Sequence, residues 1–221
     1  MGSGQTLSAM ARLSPCHASF SKSVRILFGL IFGLVCVLAT APVHALTFSR
    51  VIIDAGHGGA DGGAVWSGLI ERNLTLDVAK RLESILQSRG LQTAMTRRSN
   101  STVSLDSRAR TANRYSSAVF VSIHFNASRD RSINGIETFY RSSRGRVLAS
   151  AVQRSLDRRV TGKNRGIKYR DYSVLRCTEM PAILVECGFI SNRTEAVRCG
   201  SAAHRQKLAE AIASGIIAAR G

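Results

Sequence analysis

The chain is short of several things at once. Of its 221 residues only three are proline and one is tryptophan, aromatics make up 6%, and 14 acidic residues face 31 lysines and arginines. Few prolines, with no low-complexity tract and no internal repeat, exclude a linker-like or fibrous chain. The remaining composition, 44% hydrophobic and 20% charged, is that of an ordinary globular protein built as one domain. Scarce aromatics argue against a nucleic-acid binder, which stacks bases on rings set among its arginines. The five cysteines follow no zinc-finger spacing. The glycine-rich stretch "DAGHGG" lacks the GxGxxG pattern and a following P-loop lysine, which excludes a phosphate loop. Its glycines at 56, 58 and 59 instead allow a tight turn.

Long apolar runs are also missing, with one exception. Residues 1–25 hold Arg12, Lys22 and Arg25 and no acid, and "ILFGLIFGLVCVLAT" and "APVHA" follow. A basic flank, a short apolar core and a small-residue end read as a secretory signal peptide over residues 1–45, cut after Ala45. The run falls short of the roughly 20 residues of a membrane span, so no stable membrane anchor is expected after cleavage. Export and a net charge of +17 point to an anionic partner outside the cytoplasm, such as a cell-wall polymer, and not to nucleic acid. Periplasm and a monomeric state are the expectations. Cys177, Cys187 and Cys199 remain after cleavage, enough for one disulfide and one spare thiol, with the pairing open.

The mature part alternates strands and helices. "LTFSRVIIDAG" reads as a strand entering the glycine loop, and residues 72–89 place Leu74, Val78, Leu82, Ile85 and Leu86 at helical spacing before Gly90. "LQTAMTR" is a second strand, "SLDSRARTANRY" a helix with Ser104 as its N-cap, and "AVFVSIHFN" a third strand. "GIETFY" reads as a fourth strand, residues 144–159 as a helix, and "KNRGIKYR" as a basic loop. "YSVLR" and "AILVECGF" read as two further strands, and residues 202–219 as a closing helix. The fold class is α/β: a mostly parallel twisted sheet of about six strands, helices on both faces, in a single domain over residues 46–221. The fourth strand is expected to bring in an antiparallel element.

In such a sheet the ligand crevice lies beyond the carboxyl ends of the strands. His57 follows the first strand, His124 ends the third, Glu186 ends "AILV", and Glu71 stands at the mouth of the first helix. Each alone has a bland explanation: a solvated loop histidine, a core histidine, a glutamate favoured by the helix dipole. Glu186 is hardest to dismiss, because a carboxylate against a buried apolar strand is costly unless paired or working. Two imidazoles and one carboxylate with a fourth position open describe a catalytic zinc site. A second carboxylate off the metal then serves as general base, the role Glu186 fits. Cys187 should face away from it by strand alternation.

"DAGHGGADGGA", "ERNLTLDVAKRLESIL", "TRRSNSTVSLDSRARTAN", "VSIHFNA", "GIETFY", "KNRGIKYRDYSVLR" and "PAILVECGFISN", taken in order, resemble the zinc-dependent N-acetylmuramoyl-L-alanine amidases from about residue 50 to the C-terminus. The resemblance implies cleavage of the amide between N-acetylmuramic acid and the first L-alanine of the peptidoglycan stem peptide. It carries the zinc ligands onto His57, Glu71 and His124 and the catalytic glutamate onto Glu186. Glu137 also matches a family position, as a ligand-orienting or site residue, or else as a strand residue making a structural hydrogen bond. Asn126 is a candidate substrate contact, as are Lys163, Arg165 and Lys168 in a basic patch facing the anionic stem peptides, and Arg176. Some family members carry an extra helix that blocks the zinc until a partner protein removes it. The short spacing between Tyr140 and Arg176 leaves no room for it, so an open site without an activator is expected. No separate wall-binding module is expected either. Two rivals stay open, a binder that grips peptidoglycan without cutting it and a zinc peptidase acting within the stem peptide.

Overall fold

The computed structural model describes residues 45–221; the leader expected over residues 1–45 lies, up to residue 44, outside them. Among the described residues no helix is long and apolar enough to cross a membrane. The elements in chain order are β1 (Arg50–Ala55), a hairpin of β2 (Val65–Trp66) and β3 (Leu69–Ile70), and helix α1 (Glu71–Ser88). Then come β4 (Gln92–Met95), α2 (Leu105–Asn113), β5 (Ala118–Asn126), β6 (Ile136–Tyr140) and α3 (Ser143–Arg159). The chain ends with β7 (Asn164–Tyr169), the short α4 (Ser173–Arg176), β8 (Ala182–Phe189), α5 (Arg193–Gly200) and α6 (Ala202–Ala219).

Six strands form one sheet in the order β4-β1-β5-β8-β6-β7. β4, β1, β5 and β8 run parallel, and β6 is antiparallel to β8, the element expected of the fourth strand. The apolar strands supply both faces of the sheet by alternation. Val51, Ile53, Val121, Ile123, Ile183 and Val185 join the larger core under α1, α3 and α6. Ile52, Phe120, Phe139 and Leu184 join a smaller one under α2 and α4. Helices therefore cover both faces, unequally. The thin face is the one onto which His124 and Glu186 project, since they share the parity of Phe120 and Leu184.

Two segments differ from the reading of the sequence. "YSVLR" is not a strand: Leu175 and Arg176 both donate their amides to Tyr172 O, closing a single helical turn that buries Val174 and Leu175 together. A five-residue stretch with two adjacent aliphatic residues has no periodicity by which to tell the two apart. "KNRGIKYR" is no loop: Asn164–Tyr169 forms the edge strand β7, parallel to β6. Its charge suits an exposed sheet edge, where lysine and arginine deter pairing with other chains. The β2–β3 hairpin, turning on Ser67 and Gly68 in the left-handed region, and the helix α5, capped by Asn192, carry too little apolar pattern to stand out in the sequence. Ser104 does cap α2, its hydroxyl accepting from Ser107 N.

Candidate metal centre and cleft

β1 delivers the chain to Gly56 and His57. His57 has φ of 60°, a left-handed conformation uncommon for a residue with a side chain. Two buried arginines hold it there. Arg108 donates to His57 O (2.8 Å), to Ala55 O and to the Asp54 carboxylate, all within 2.8 Å. Arg97 also donates to Ala55 O and to Gly56 O, at 2.9 and 2.8 Å. Gly56 is required for a second reason: a Cβ there would lie 2.3 Å from the His124 ring.

Glu71 opens α1, where the helix dipole favours its negative charge. Its Oε1 accepts from Phe125 N and lies 3.0 Å from both His124 Nδ1 and His57 Nε2, while Oε2 accepts from Ala64 N. The two imidazoles meet edge to face with centroids 4.9 Å apart. On its far side, His57 Nδ1 lies 2.8 Å from Asp61 Oδ2. One donor atom from each of His57, Glu71 and His124 falls within 4.8 Å of the others. Bonds of about 2.0–2.2 Å to a tetrahedral zinc place ligand atoms roughly 3.3–3.6 Å apart, between the 3.0 Å approaches of Glu71 to each imidazole and the 4.8 Å that bounds the set. The donor types fit zinc as well, and a carboxylate behind a ligating histidine is the usual second partner. Among the described residues this is the one such group of three.

The charges agree with that arrangement. Burial alone would raise the Glu71 carboxyl, but hydrogen bonds and charge from His124 and His57 drive it well below the usual carboxylate range. Burial opposes charging of His57, yet Glu71 and then Asp61 outweigh it and raise the imidazole.

Glu186 stands in register with His124 on one side and with Glu137 on the other. It lines a cleft of about 270 Å³ with His57 and His124. Its Oε2 is buried and has no hydrogen-bond partner. Burial, reinforced by the nearby charges of Glu71 and Glu137, pushes its carboxyl well above the ordinary range. Cys187 points to the opposite core. Both it and Cys199 are free and buried, with burial pushing the Cys199 thiol up to about 12, while Cys177 is free and exposed.

The other sequence candidates divide. Glu137 is buried and accepts from Asn126 Nδ2 (3.2 Å), from Arg165 Nε (2.9 Å) and from Lys168 Nζ. Asn126, Arg165 and Lys168 are thus gathered around one carboxylate beside Glu186. Lys163 is exposed just before β7 and is held there through its carbonyl, which accepts from Ile136 N. Arg176 pairs with Asp171 and lines a separate cleft with Arg141 and Pro181 at the amino end of β8, away from the histidines. Asp61, Arg97 and Arg108 were not among the sequence candidates. Asp61 had one signal, its place four residues after His57; the arginines had none, because most of their partners are backbone carbonyls of the loop and the Asp54 that Arg108 meets is 54 residues away.

A sequence profile described as N-acetylmuramoyl-L-alanine amidase matches residues 51–218. Over 171 residues the chain is 34% identical to the N-acetylmuramoyl-L-alanine amidase LytC of Bacillus subtilis, covering 76% of this chain and 34% of LytC. It therefore spans about a third of that relative's length. Among solved structures, the amidase AmiC2 of Nostoc punctiforme is similar at TM-score 0.74 and 38% identity, covering 76% of this chain and 95% of that one. CwlD amidase from Clostridioides difficile, solved in complex with the GerS lipoprotein, is similar at TM-score 0.74 and 30% identity, covering 77% and 98%.

Proposed function

The chain is an amidase of the N-acetylmuramoyl-L-alanine amidase family, and from that premise we propose that it is a zinc-dependent hydrolase cutting the bond between N-acetylmuramic acid and L-alanine of the stem peptide. His57, Glu71 and His124 would hold the metal. Zinc in such a site supplies Lewis acidity toward a carbonyl and toward water. Glu186 takes the proton of the attacking water and returns it to the leaving nitrogen. Asp61 accepts the Nδ1 proton of His57 and so turns Nε2 inward. Glu137 carries the two cations Arg165 and Lys168 at the side of Glu186, where they meet a peptide carboxylate.

One observation carries this reading above the others. Glu186 Oε2 is a buried carboxylate oxygen without a partner, on a cleft shared with both histidines. A protein that only gripped peptidoglycan would have no use for so costly a group. The protein works outside the cytoplasm after removal of residues 1–45, in the periplasm, in wall remodelling or daughter-cell separation. It acts as a monomer on an open site: between β6 and β8 the chain spends its length on α3, β7 and α4, and no activator is needed. CwlD, by contrast, was solved with a lipoprotein bound.

Purified protein incubated alone with peptidoglycan tests this. Stem peptides with a free N-terminal L-alanine are expected, lost on zinc chelation and reduced about 100- to 10,000-fold in Glu186→Gln. A Glu186→Gln variant as fast as the wild type would reject the assigned base. Activity appearing only on addition of a cell extract would reject the activator-free site.

A further inference from the structure

Two clefts meet at the His57 and His124 rings. One, of about 270 Å³, also includes Tyr172, Leu184 and Glu186. The other, of about 280 Å³, includes Asp61, Thr102 and Ser104. Leu105 and Val174 line both, so they form the divide between them. Leu105 and Tyr172 are 57% and 40% exposed, large apolar side chains left open beside a polar centre. Tyr172 is braced edge-on against Phe139, with ring centroids 5.3 Å apart.

We propose that these clefts are the two halves of the substrate site: the Glu186 cleft takes the stem peptide from its first residue onward, with Tyr172 and Leu105 selecting that residue's side chain, and the Asp61 cleft takes the lactyl and sugar side. This assignment rests on the amidase reading above. The direction follows from where the proton must go. Water's oxygen bonds to the carbonyl carbon, the C–N bond breaks, and one water proton passes through Glu186 to the nitrogen, leaving a free amine on the peptide and a carboxyl group on the lactyl side. Glu186 lines only one of the clefts, so the nitrogen-bearing half must lie there. Charge points the same way. In the other cleft Arg108 is taken up by Asp54, and Asp61, its side chain 62% exposed, leaves a carboxylate there that disfavours an anionic peptide. Asp61 and Thr102 offer the acceptor and hydroxyl that sugar hydroxyls pair with, beside the Ser104 that caps α2.

The test compares ratios on the zinc-loaded protein. One substrate pair keeps the glycan and changes the first residue from L-alanine to glycine; the other keeps the peptide and changes the glycan from one sugar to two. Tyr172→Ala is expected to lower the preference for L-alanine over glycine about tenfold, the scale of one methyl group in an apolar pocket, and to leave the glycan ratio alone. Thr102→Val is expected to do the reverse. Each readout is a ratio on one variant, so loss of folded protein does not move it, and Tyr172→Leu repeats the measurement with bulk retained. If Tyr172 variants shift the glycan ratio and spare the first-residue ratio, or shift neither, the assignment is overturned. Wild-type protein that releases no peptide from any of the substrates would overturn the amidase reading itself, and this assignment with it.

Discussion

In the proposed metal centre Asp61 acts through His57, besides lining the cleft assigned to the sugar side. It lies 2.8 Å from His57 Nδ1 and is mostly exposed, so its loss should loosen the metal centre more than the fold. Asp61→Ala is expected to weaken zinc binding about 10- to 100-fold, read by competition with a colorimetric chelator, with the melting temperature of the zinc-free protein nearly unchanged. A large drop in melting temperature with unchanged zinc affinity would make Asp61 a structural residue instead. His57, His124 and Glu186 stood out in the sequence because ionisable groups at the ends of apolar runs do, and Glu71 because it stands at the mouth of a helix after the glycine loop. Arg97 and Arg108, 3% and 4% exposed, were not: arginine is among the least buried residue types, and nothing in a sequence reveals that a guanidinium will serve a loop's carbonyls.

Helix α1 is tied to α6 by Asp77, which accepts from Arg81 Nε (2.9 Å) and from Arg205 Nε. Burial works against the Asp77 anion, but the two arginines hold its carboxyl below the usual range. A depressed folded value means that the stabilisation is present at neutral pH and is lost as the pH falls through the carboxylate range. Asp77→Asn is expected to cost about 0.5–1 kcal/mol at pH 7, a partly exposed network, with the gap to wild type narrowing below about pH 4 in denaturant melts. A gap that stayed constant to pH 2 would show that the carboxylate's charge contributes nothing. The long helices and the apolar strands were legible because fifteen or more residues of 3.6-periodicity, or an unbroken apolar run, leave one reading. Helix α4 and strand β7 were not. The first is too short to have a period, and the second is an edge strand whose polar residues need no core.

The whole molecule carries a formal charge of +17, the surplus of 31 lysines and arginines over 14 acids; some of the cations sit against those acids, Arg108 at Asp54, Arg165 and Lys168 at Glu137, Arg176 at Asp171. The remaining cations act as a diffuse field, screened over about 10 Å at 0.1 M salt and about 3 Å at 1 M. Co-sedimentation with purified peptidoglycan is therefore expected to fall steeply across that range. Binding indifferent to salt would mean that the surplus serves solubility and the cleft alone holds the substrate.

The α/β class, the helices that cover the sheet and the arrival of four ionisable residues at one rim could be read along the chain, from local periodicity, from where strands and helices begin and end, and from the cost of burying charge. Which groups touch follows from the fold alone. His57 and Glu71 are 14 residues apart and Glu71 and His124 are 53, and it is the strand order β1-β5-β8-β6 that brings them beside Glu186 and Glu137. The division of the cleft by Leu105 and Val174 has the same origin. Contacts between distant segments depend on sheet order and on which face each helix covers, and neither leaves a trace in the spacing of residues along the chain.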